Sequence, residues 1–331
     1  MFFSATKPFW QNQTLGTALS IIAGLLLSAS AAFCNPLFDG ADPDILIANK
    51  TYWIYPTSEG SNDKDCFLAY SSPDLKIWTL RGTILKMKDI AWIGADGAKS
   101  HELWAPGIFA SRGKYYLYYA VGPQNPTPSR IGVAVADAPE GPFVDSGKAL
   151  ITGGNGFEAI DPMAFRDPKS GKDFLYCGGS AGSKLRVYEL NADLVNIVRE
   201  VPVETPENFT EGAFMQFHNG TYYLSYSHGK WNDDSYCVCY SVSSSPTGPW
   251  KYKGKILESN EEHAGPGHHA FIENPSTGQT YIVYHRWNGA KSSGKMPDNR
   301  SIAIDLIEYG KNNEILPVKM TNTGVPASPI Q

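Results

Sequence analysis

The sequence predicts an all-β protein, a five-bladed β-propeller, from two features that recur along its 331 residues. One is a distinctive residue at the start of each repeat, and the other is a series of strands separated by short turns. Five times, a carboxylate, a histidine or a tryptophan comes just before a short apolar run that leads into a Tyr-rich strand. We call these positions the openers; they are Asp42, Trp104, Asp161, Glu211 and His268. Successive openers are about 62, 57, 50 and 57 residues apart, and strand-rich repeats of this length are typical of propeller blades. Because the first strand of each blade lines the central axis, we expect the openers to meet at one end of that axis.

Each repeat has the pattern of strands separated by short turns. In chain order the strands are predicted at YWIYP and CFLAYSS, KYYLYYAVG and RIGVAVADA, KDFLY, TYYLSYSHG and YCVCYSVSS, and TYIVY. The turns between the first two strands of the blades are predicted at 48–50, 111–113, 167–171, 218–220 and 274–278, where Gly, Asn, Asp or Ser residues cluster. The third repeat is the most degenerate. Residues 36–41 predict a strand that joins the last blade and closes the ring, which removes an open sheet edge.

The two ends of the chain differ in composition from the repeats. Residues 1–32 carry one charge, Lys7, with an apolar stretch from Leu15 to Ala29 and small-residue cleavage sites near position 31. This pattern predicts a secretory signal peptide and a secreted or periplasmic protein, with an N-terminal membrane anchor as the alternative. The propeller is then expected over residues 33–320, with a loose tail at 321–331.

Composition excludes several classes of partner. The formal net charge is −5 and no long run of Lys or Arg occurs, which argues against nucleic acid or an anionic membrane. Five cysteines are an odd number, and Cys237 and Cys239 lie on one face of a predicted strand, where a mutual disulfide is geometrically unfavourable. We expect the cysteines to be small buried apolar residues, because their spacing fits no zinc site.

Three of the openers are carboxylates at equivalent repeat positions. Asp42, Asp161 and Glu211 each begin an Asp-Pro or Glu-Gly dipeptide, and any one alone would be interpreted as a turn cap. Hydrolysis of a glycosidic bond requires two carboxyl groups, one on either side of the bond. One of them is protonated and the other is ionised. A third carboxylate raises the pKa of the acid by like-charge repulsion. Their shared position therefore predicts a glycosidase site.

A series of motifs in the correct order resembles glycoside hydrolase family 43 over nearly the whole chain after residue 32. The motifs are NPLFDGADPDI, SSPDLKIW, HELWAPGI, IDPMAF, TEGAFM, GPGHHAF and NRSIAIDLIEY. The resemblance implies a five-bladed propeller that hydrolyses with inversion and needs no organic cofactor. It also implies that Asp42 is the general base, Asp161 the modulator of pKa and Glu211 the general acid. Arg300 would reach the sugar or the carboxylates, and His268 would contact a water-clad calcium or other ion on the axis.

The resemblance also implies the class of substrate, an oligo- or polysaccharide that contains arabinose or xylose. It favours an α-L-arabinofuranosidase or β-xylosidase acting on hemicellulose or pectin side chains, with Trp104 as a stacking platform for the sugar. An endo-α-1,5-L-arabinanase is an alternative. The string FRDPK around Asp167 also occurs in retaining β-fructosidases, although Asp167 falls in a predicted turn. A propeller that binds sugar without catalysis is the remaining alternative, and retention of all three acids argues against it.

Overall fold

The structure, a computed structural model, describes residues 1–2, 34–60, 62–180, 182–288 and 299–331. Within these residues the chain forms five antiparallel sheets, the five blades of the predicted propeller. The first blade consists of β2 (Ala41–Ala48), β3 (Thr51–Thr57), β4 (Cys66–Ser72) and β5 (Thr79–Lys86). The second consists of β6 (Glu102–Ser111), β7 (Lys114–Gly122), β8 (Arg130–Ala136), β9 (Val144–Asp145) and β10 (Ile151–Thr152).

The other three blades follow in chain order. The third consists of β11 (Met163–Arg166), β12 (Asp173–Cys177), β13 (Arg186–Leu190) and β14 (Ile197–Val201). The fourth consists of β15 (Glu211–His218), β16 (Thr221–His228), β17 (Cys237–Ser243) and β18 (Lys251–Leu257). The fifth consists of β19 (His263–Glu273), β20 (Thr280–Asn288), β21 (Ser301–Ile307) and the N-terminal β1 (Phe38–Asp39). All five predicted turns connect the first two strands of their blades.

The N-terminal strand closes the ring, as the sequence predicted for residues 36–41. β1 pairs with β21, with Phe38 opposite Ile302. The side-chain amide of Asn35 adds a hydrogen bond to the carbonyl of Ile304, at 2.9 Å. The last blade is therefore built from both ends of the propeller, and its outer edge is covered.

The core is divided into clusters that lie between neighbouring blades. Aromatic and aliphatic side chains from facing sheets fill each interface, which explains the high content of buried tyrosine. Phe143 lies in the cluster between the first two blades, Trp250 packs between the third and fourth, and Trp78 packs beside the first and last. Packing between blades fixes their rotation about the axis, and with it the positions of the openers.

The C-terminal residues are not a loose tail, which corrects the prediction for 321–331. Val325 is buried and Ile330 packs against the cluster that joins the last blade to the first. Ser328 is hydrogen-bonded from several directions: its carbonyl accepts from the Tyr52 hydroxyl at 2.9 Å, and its backbone N–H donates to the Asp74 carbonyl at 2.8 Å. A few apolar side chains and the backbone hydrogen bonds therefore hold a segment whose composition is mostly polar.

Two further predictions concern cysteines and membranes. Cys66, Cys177, Cys237 and Cys239 are buried, as expected of small apolar residues, whereas Cys34 is only partly buried. The predicted signal peptide at 1–32 lies almost wholly outside the described residues. In the part of the chain that the structure describes, no helix is long and apolar enough to cross a membrane.

Candidate active site

Each opener lies at a local irregularity of an inner strand. The register shifts in four of these strands, beside Asp42, Trp104, Glu211 and His268. The backbone is left-handed at three openers, with φ of 47° at Asp42, 55° at Asp161 and 40° at His268, and at the residues that follow the other two, Ala105 and Gly212. Such β-bulges redirect a side chain away from the regular alternation of a strand, and left-handed backbone at residues other than glycine is often found at functional sites. The bulges turn the openers toward one end of the axis.

The five openers line a single cavity of about 940 Å³ at that end of the propeller. The three carboxyl groups are buried, since Asp42, Asp161 and Glu211 are each less than a tenth exposed. Trp104 is half-buried and its ring packs over Gly122, where a Cβ would lie 2.2 Å from the indole. His101 and Glu102, just before Trp104, line the same cavity. The sequence prediction that the openers converge is thus confirmed.

Asp42 is held as a carboxylate. Arg300 Nη1 lies 3.3 Å from Asp42 Oδ1, and the same guanidinium donates from Nε to Glu59 at 3.0 Å. Burial on its own raises the pKa of Asp42, but the opposing effects, of which the charge of Arg300 is the largest, more than offset it and hold that pKa well below its usual range. Arg300 therefore reaches the carboxylates, one of the two positions the resemblance implied.

His285 contacts the backbone of Asp42. Its Nδ1 accepts a hydrogen bond from the backbone N–H of Asp42 at 3.1 Å. Burial lowers the pKa of His285 to about 4, and burial together with Arg300 lowers the pKa of His268. Both imidazoles are thus neutral near pH 7, and Arg300 is the cation that faces Asp42. Sequence reasoning missed His285, because it lies on the second strand of its blade.

Glu211 has the opposite electrostatic character. Burial, reinforced by the negative charge of Asp42, raises the pKa of Glu211 to about 7, against the effect of a hydrogen bond from Tyr236. The Tyr236 hydroxyl donates to Glu211 Oε1 at 2.8 Å. Gly179 allows the backbone of Glu211 to approach, because a Cβ there would lie 2.3 Å from Glu211 Cβ. Glu211 can therefore carry a proton at neutral pH.

Asp161 lies beside both of the other carboxyl groups. Its Oδ2 accepts from the backbone N–H of Gly212 at 2.9 Å. Burial, followed by the charges of Glu211 and Asp42, raises the pKa of Asp161 well above its ordinary value. Since Asp161 and Glu211 interact, the two carboxyl groups titrate together, and their apparent pKa values belong to the pair rather than to either residue. The geometry thus allows Asp161 to influence the acidity of Glu211, the effect that the sequence predicted.

The structure gives no support for a calcium ligand set around His268. Its Nδ1 faces two carboxylates, Asp42 Oδ1 at 3.4 Å and Asp161 Oδ2 at 3.6 Å. Among the described residues, no three His, Cys, Asp or Glu side chains are placed to hold a metal together. Calcium prefers six to eight oxygen ligands, and His268 offers it one nitrogen. These residues do not fit a calcium held by protein ligands alone; the water-clad ion that the resemblance implies stays a prediction, and we derive no catalytic step from it.

Asp167 lies away from the cavity, in the turn between β11 and β12. Its carboxylate accepts hydrogen bonds from the backbone of Lys169 and Ser170, both at 3.1 Å, and from the Tyr222 hydroxyl. It is a structural turn residue, and the string that resembles β-fructosidases therefore contributes no group to the cavity.

Buried carboxyl groups with opposite shifts of pKa, at the end of a five-bladed propeller, define the site of a glycoside hydrolase. The model of the glycosyl hydrolases family 43 matches residues 33–315, and the chain belongs to this family, whose members are inverting glycosidases. The chain is 37% identical over 88% of its length to β-D-galactofuranosidase xynD of Aspergillus niger, and covers 86% of that protein. It is 28% identical to xylosidase/arabinosidase 43A of Humicola insolens, over 84% of this chain and 96% of that one.

Solved structures show the same fold. An α-L-arabinofuranosidase from Clostridium thermocellum superposes with a TM-score of 0.69 at 30% identity, over 86% of this chain and 95% of that one. A thermostable family-43 glycoside hydrolase superposes with a TM-score of 0.74 at 24% identity, over 90% of this chain and 99% of that one, and shows the fold alone.

Proposed function

We propose that the protein is a secreted inverting hydrolase of α-L-arabinofuranosides or β-D-xylosides in hemicellulose or pectin side chains. The observation that carries this proposal is the electrostatic division of the cavity, with Asp42 held ionised and Glu211 with a pKa of about 7. Secretion rests on the apolar segment within residues 1–32. The chain's relatives include enzymes named for xylosides and for arabinofuranosides.

The reaction is a single displacement at the anomeric carbon. Asp42 takes a proton from a water molecule whose oxygen attacks that carbon, while the bond to the leaving oxygen breaks. Glu211 gives its proton to the leaving oxygen, so that sugar and alcohol are released and the two carboxyl groups exchange protonation states. Asp161 influences the pKa of Glu211, and Arg300 keeps Asp42 ionised before the water is deprotonated.

β-D-Galactofuranosides are a second candidate substrate, favoured by the relative at 37% identity. The ring carbons of a β-D-galactofuranoside have the same configuration as those of an α-L-arabinofuranoside. The two sugars differ in the exocyclic group, which is one CHOH unit longer in galactofuranose. A pocket that accepts one ring can accept the other where there is room for this unit, and the cavity of about 940 Å³ is large for a single sugar.

A panel of 4-nitrophenyl α-L-arabinofuranoside, β-D-xyloside and β-D-galactofuranoside tests the proposed function directly. We expect release of nitrophenol from at least one of the first two, and early proton NMR of the released sugar should show the inverted anomer. Activity on linear α-1,5-arabinan alone would favour the endo-arabinanase. Absence of hydrolysis across the panel and the polymer would contradict the proposal and favour a sugar-binding propeller.

The pH dependence of kcat/KM reports the protonation of Glu211. Because Glu211 acts in its protonated form, we expect kcat/KM to fall as the pH rises through about 7. The Tyr236 hydroxyl donates to Glu211 and stabilises the ionised form. Tyr236→Phe should therefore raise the pKa of Glu211 and move the basic limb of the profile to higher pH, measured between pH 4 and 10.

Tyr284→Phe is the matched control for this shift. Tyr284 is also fully buried and donates to a carboxylate, Asp305 Oδ2 at 2.7 Å, but it lies outside the cavity. It should leave the position of the basic limb unchanged. A basic limb that stays in place in Tyr236→Phe, or that moves equally in both variants, would show that Tyr236 does not set the acidity of Glu211.

A further inference from the structure

The loop between β16 and β17 places an aromatic side chain at the mouth of the cavity. Trp231 is 49% exposed, although large hydrophobic residues in this fold are mostly buried. It borders the same cavity as the three carboxyl groups, which are each less than a tenth exposed. The carboxyl groups therefore lie at the bottom of the cavity, and the ring of Trp231 lies at its mouth.

Two neighbours fix the orientation of the Trp231 ring. It stacks on Trp287, with ring centroids 6.4 Å apart and 24° between the planes. Trp287 is only 4% exposed and packs on the backbone at Gly265, where a Cβ would lie 2.7 Å from the indole. The guanidinium of Arg300 lies 5.1 Å from the centroid of the Trp231 ring. An ordered aromatic surface costs a ligand little conformational entropy on binding.

Hydrogen bonds hold the loop in place, and its last residue contacts Glu211. The backbone N–H of Asp233 donates to the Lys230 carbonyl at 3.1 Å, and the Ser259 hydroxyl donates to the Asp234 carbonyl at 2.7 Å. The loop ends at Tyr236, which donates to Glu211. The same loop therefore carries the exposed ring of Trp231 at the mouth of the cavity and, at its end, the hydroxyl group that contacts Glu211.

We propose that Trp231, supported by Trp287, is the binding platform for the sugar ring of the leaving group. The inference rests on the proposed function and adds the position of the second sugar. With the cleaved sugar at the carboxyl groups, the rest of the substrate faces the mouth, where Trp231 is exposed. The CH faces of a pyranose or furanose ring pack well on an indole. The cavity of about 940 Å³ leaves space for such a ring beyond the cleaved sugar.

The test compares two substrates with leaving groups of similar acidity, only one of which carries a ring. Methyl α-L-arabinofuranoside leaves the platform empty, and α-1,5-L-arabinobiose fills it; methyl β-D-xyloside and β-1,4-xylobiose serve in the xylose series. Trp231→Ala should lower kcat/KM about tenfold on the disaccharide, the scale of one aromatic contact, and less than about twofold on the methyl glycoside. Trp231→Phe should recover most of the loss.

The controls separate this inference from the proposed function. Ile77→Ala, at an exposed apolar position outside the cavity, should leave both substrates unchanged, and melting curves verify that each variant is folded. Equal losses on the disaccharide and the methyl glycoside in Trp231→Ala would mean that Trp231 acts through Arg300 on Asp42, which overturns the platform. An unchanged disaccharide rate also overturns it. If wild-type protein hydrolyses nothing in the glycoside panel, the proposed function fails; binding of arabinobiose and xylobiose, followed by calorimetry, then tests the platform alone.

Discussion

Asp42→Asn is expected to lower kcat by about three orders of magnitude, within the range of general acid–base catalysis. The amide keeps the shape of the side chain and leaves the backbone N–H bonded to His285, but it cannot accept a proton from the attacking water. Because the base acts on water rather than on the leaving group, the loss should be similar for nitrophenyl, methyl and disaccharide substrates. Initial rates on these three substrates, with KM measured separately, check the prediction.

Asp167→Asn is the matched control for Asp42→Asn. Asp167 is also a buried aspartate that accepts several hydrogen bonds, but it lies in a turn outside the cavity. It should lower the melting temperature, because the turn loses accepting groups, and leave kcat of the folded protein nearly unchanged. A loss of kcat in Asp167→Asn comparable with that in Asp42→Asn would instead support the β-fructosidase interpretation of the FRDPK string.

The positions of the openers could be predicted because they follow from the repeat. Each lies just before an inner strand, near its start or at its bulge, so a period in the sequence becomes a ring in space. Asp42, Asp161 and Glu211 were found in this way. Trp104 and His268 were found by the same rule, although the ring gives no ligand set for a metal at His268.

The residues that tune the site could not be predicted in this way. His285 lies on the second strand of its blade, Tyr236 directly precedes the third strand of its blade, and Glu59 follows β3, so no shared repeat position marks them. Tyr236 is one of 18 tyrosines, most of which fill the spaces between blades. What distinguishes it is its contact with Glu211, which depends on packing between strands. The C-terminal segment was mispredicted for a related reason, since Val325 and Ile330 are isolated apolar residues whose partners lie far away in sequence.

The sequence alone does not indicate the role of Trp231. A tryptophan in a polar loop can be a core residue, a surface residue or a binding residue, and its neighbours GK and NDD favour none of these. Only the exposure of its ring, together with its support by Trp287 and Arg300, distinguishes them. The chemistry of the carboxyl groups is therefore encoded locally, while recognition of the rest of the substrate depends on the loops that surround them.

Glu211→Gln is expected to produce a loss that grows with the basicity of the leaving group. On methyl and disaccharide substrates, whose oxygen must be protonated as it leaves, kcat should fall by at least about two orders of magnitude. On a 2,4-dinitrophenyl glycoside, whose leaving oxygen needs little protonation, most of the rate should be kept. The basic limb of the pH profile near pH 7 should disappear as well, because the group whose pKa is raised to about 7 is no longer present.

The slope of log kcat against leaving-group pKa distinguishes this role from a structural one. Glu189→Gln, at an ion-paired glutamate on β13, is the control and should keep the wild-type slope. For Glu211→Gln the slope should become steeply negative, since the leaving oxygen then departs with a full negative charge. A uniform loss across the series, with the basic limb still in place, would remove Glu211 from the role of general acid. In that case the proton would have to come from Asp161, the other carboxyl group in the cavity whose pKa is raised by burial and by its charged neighbours.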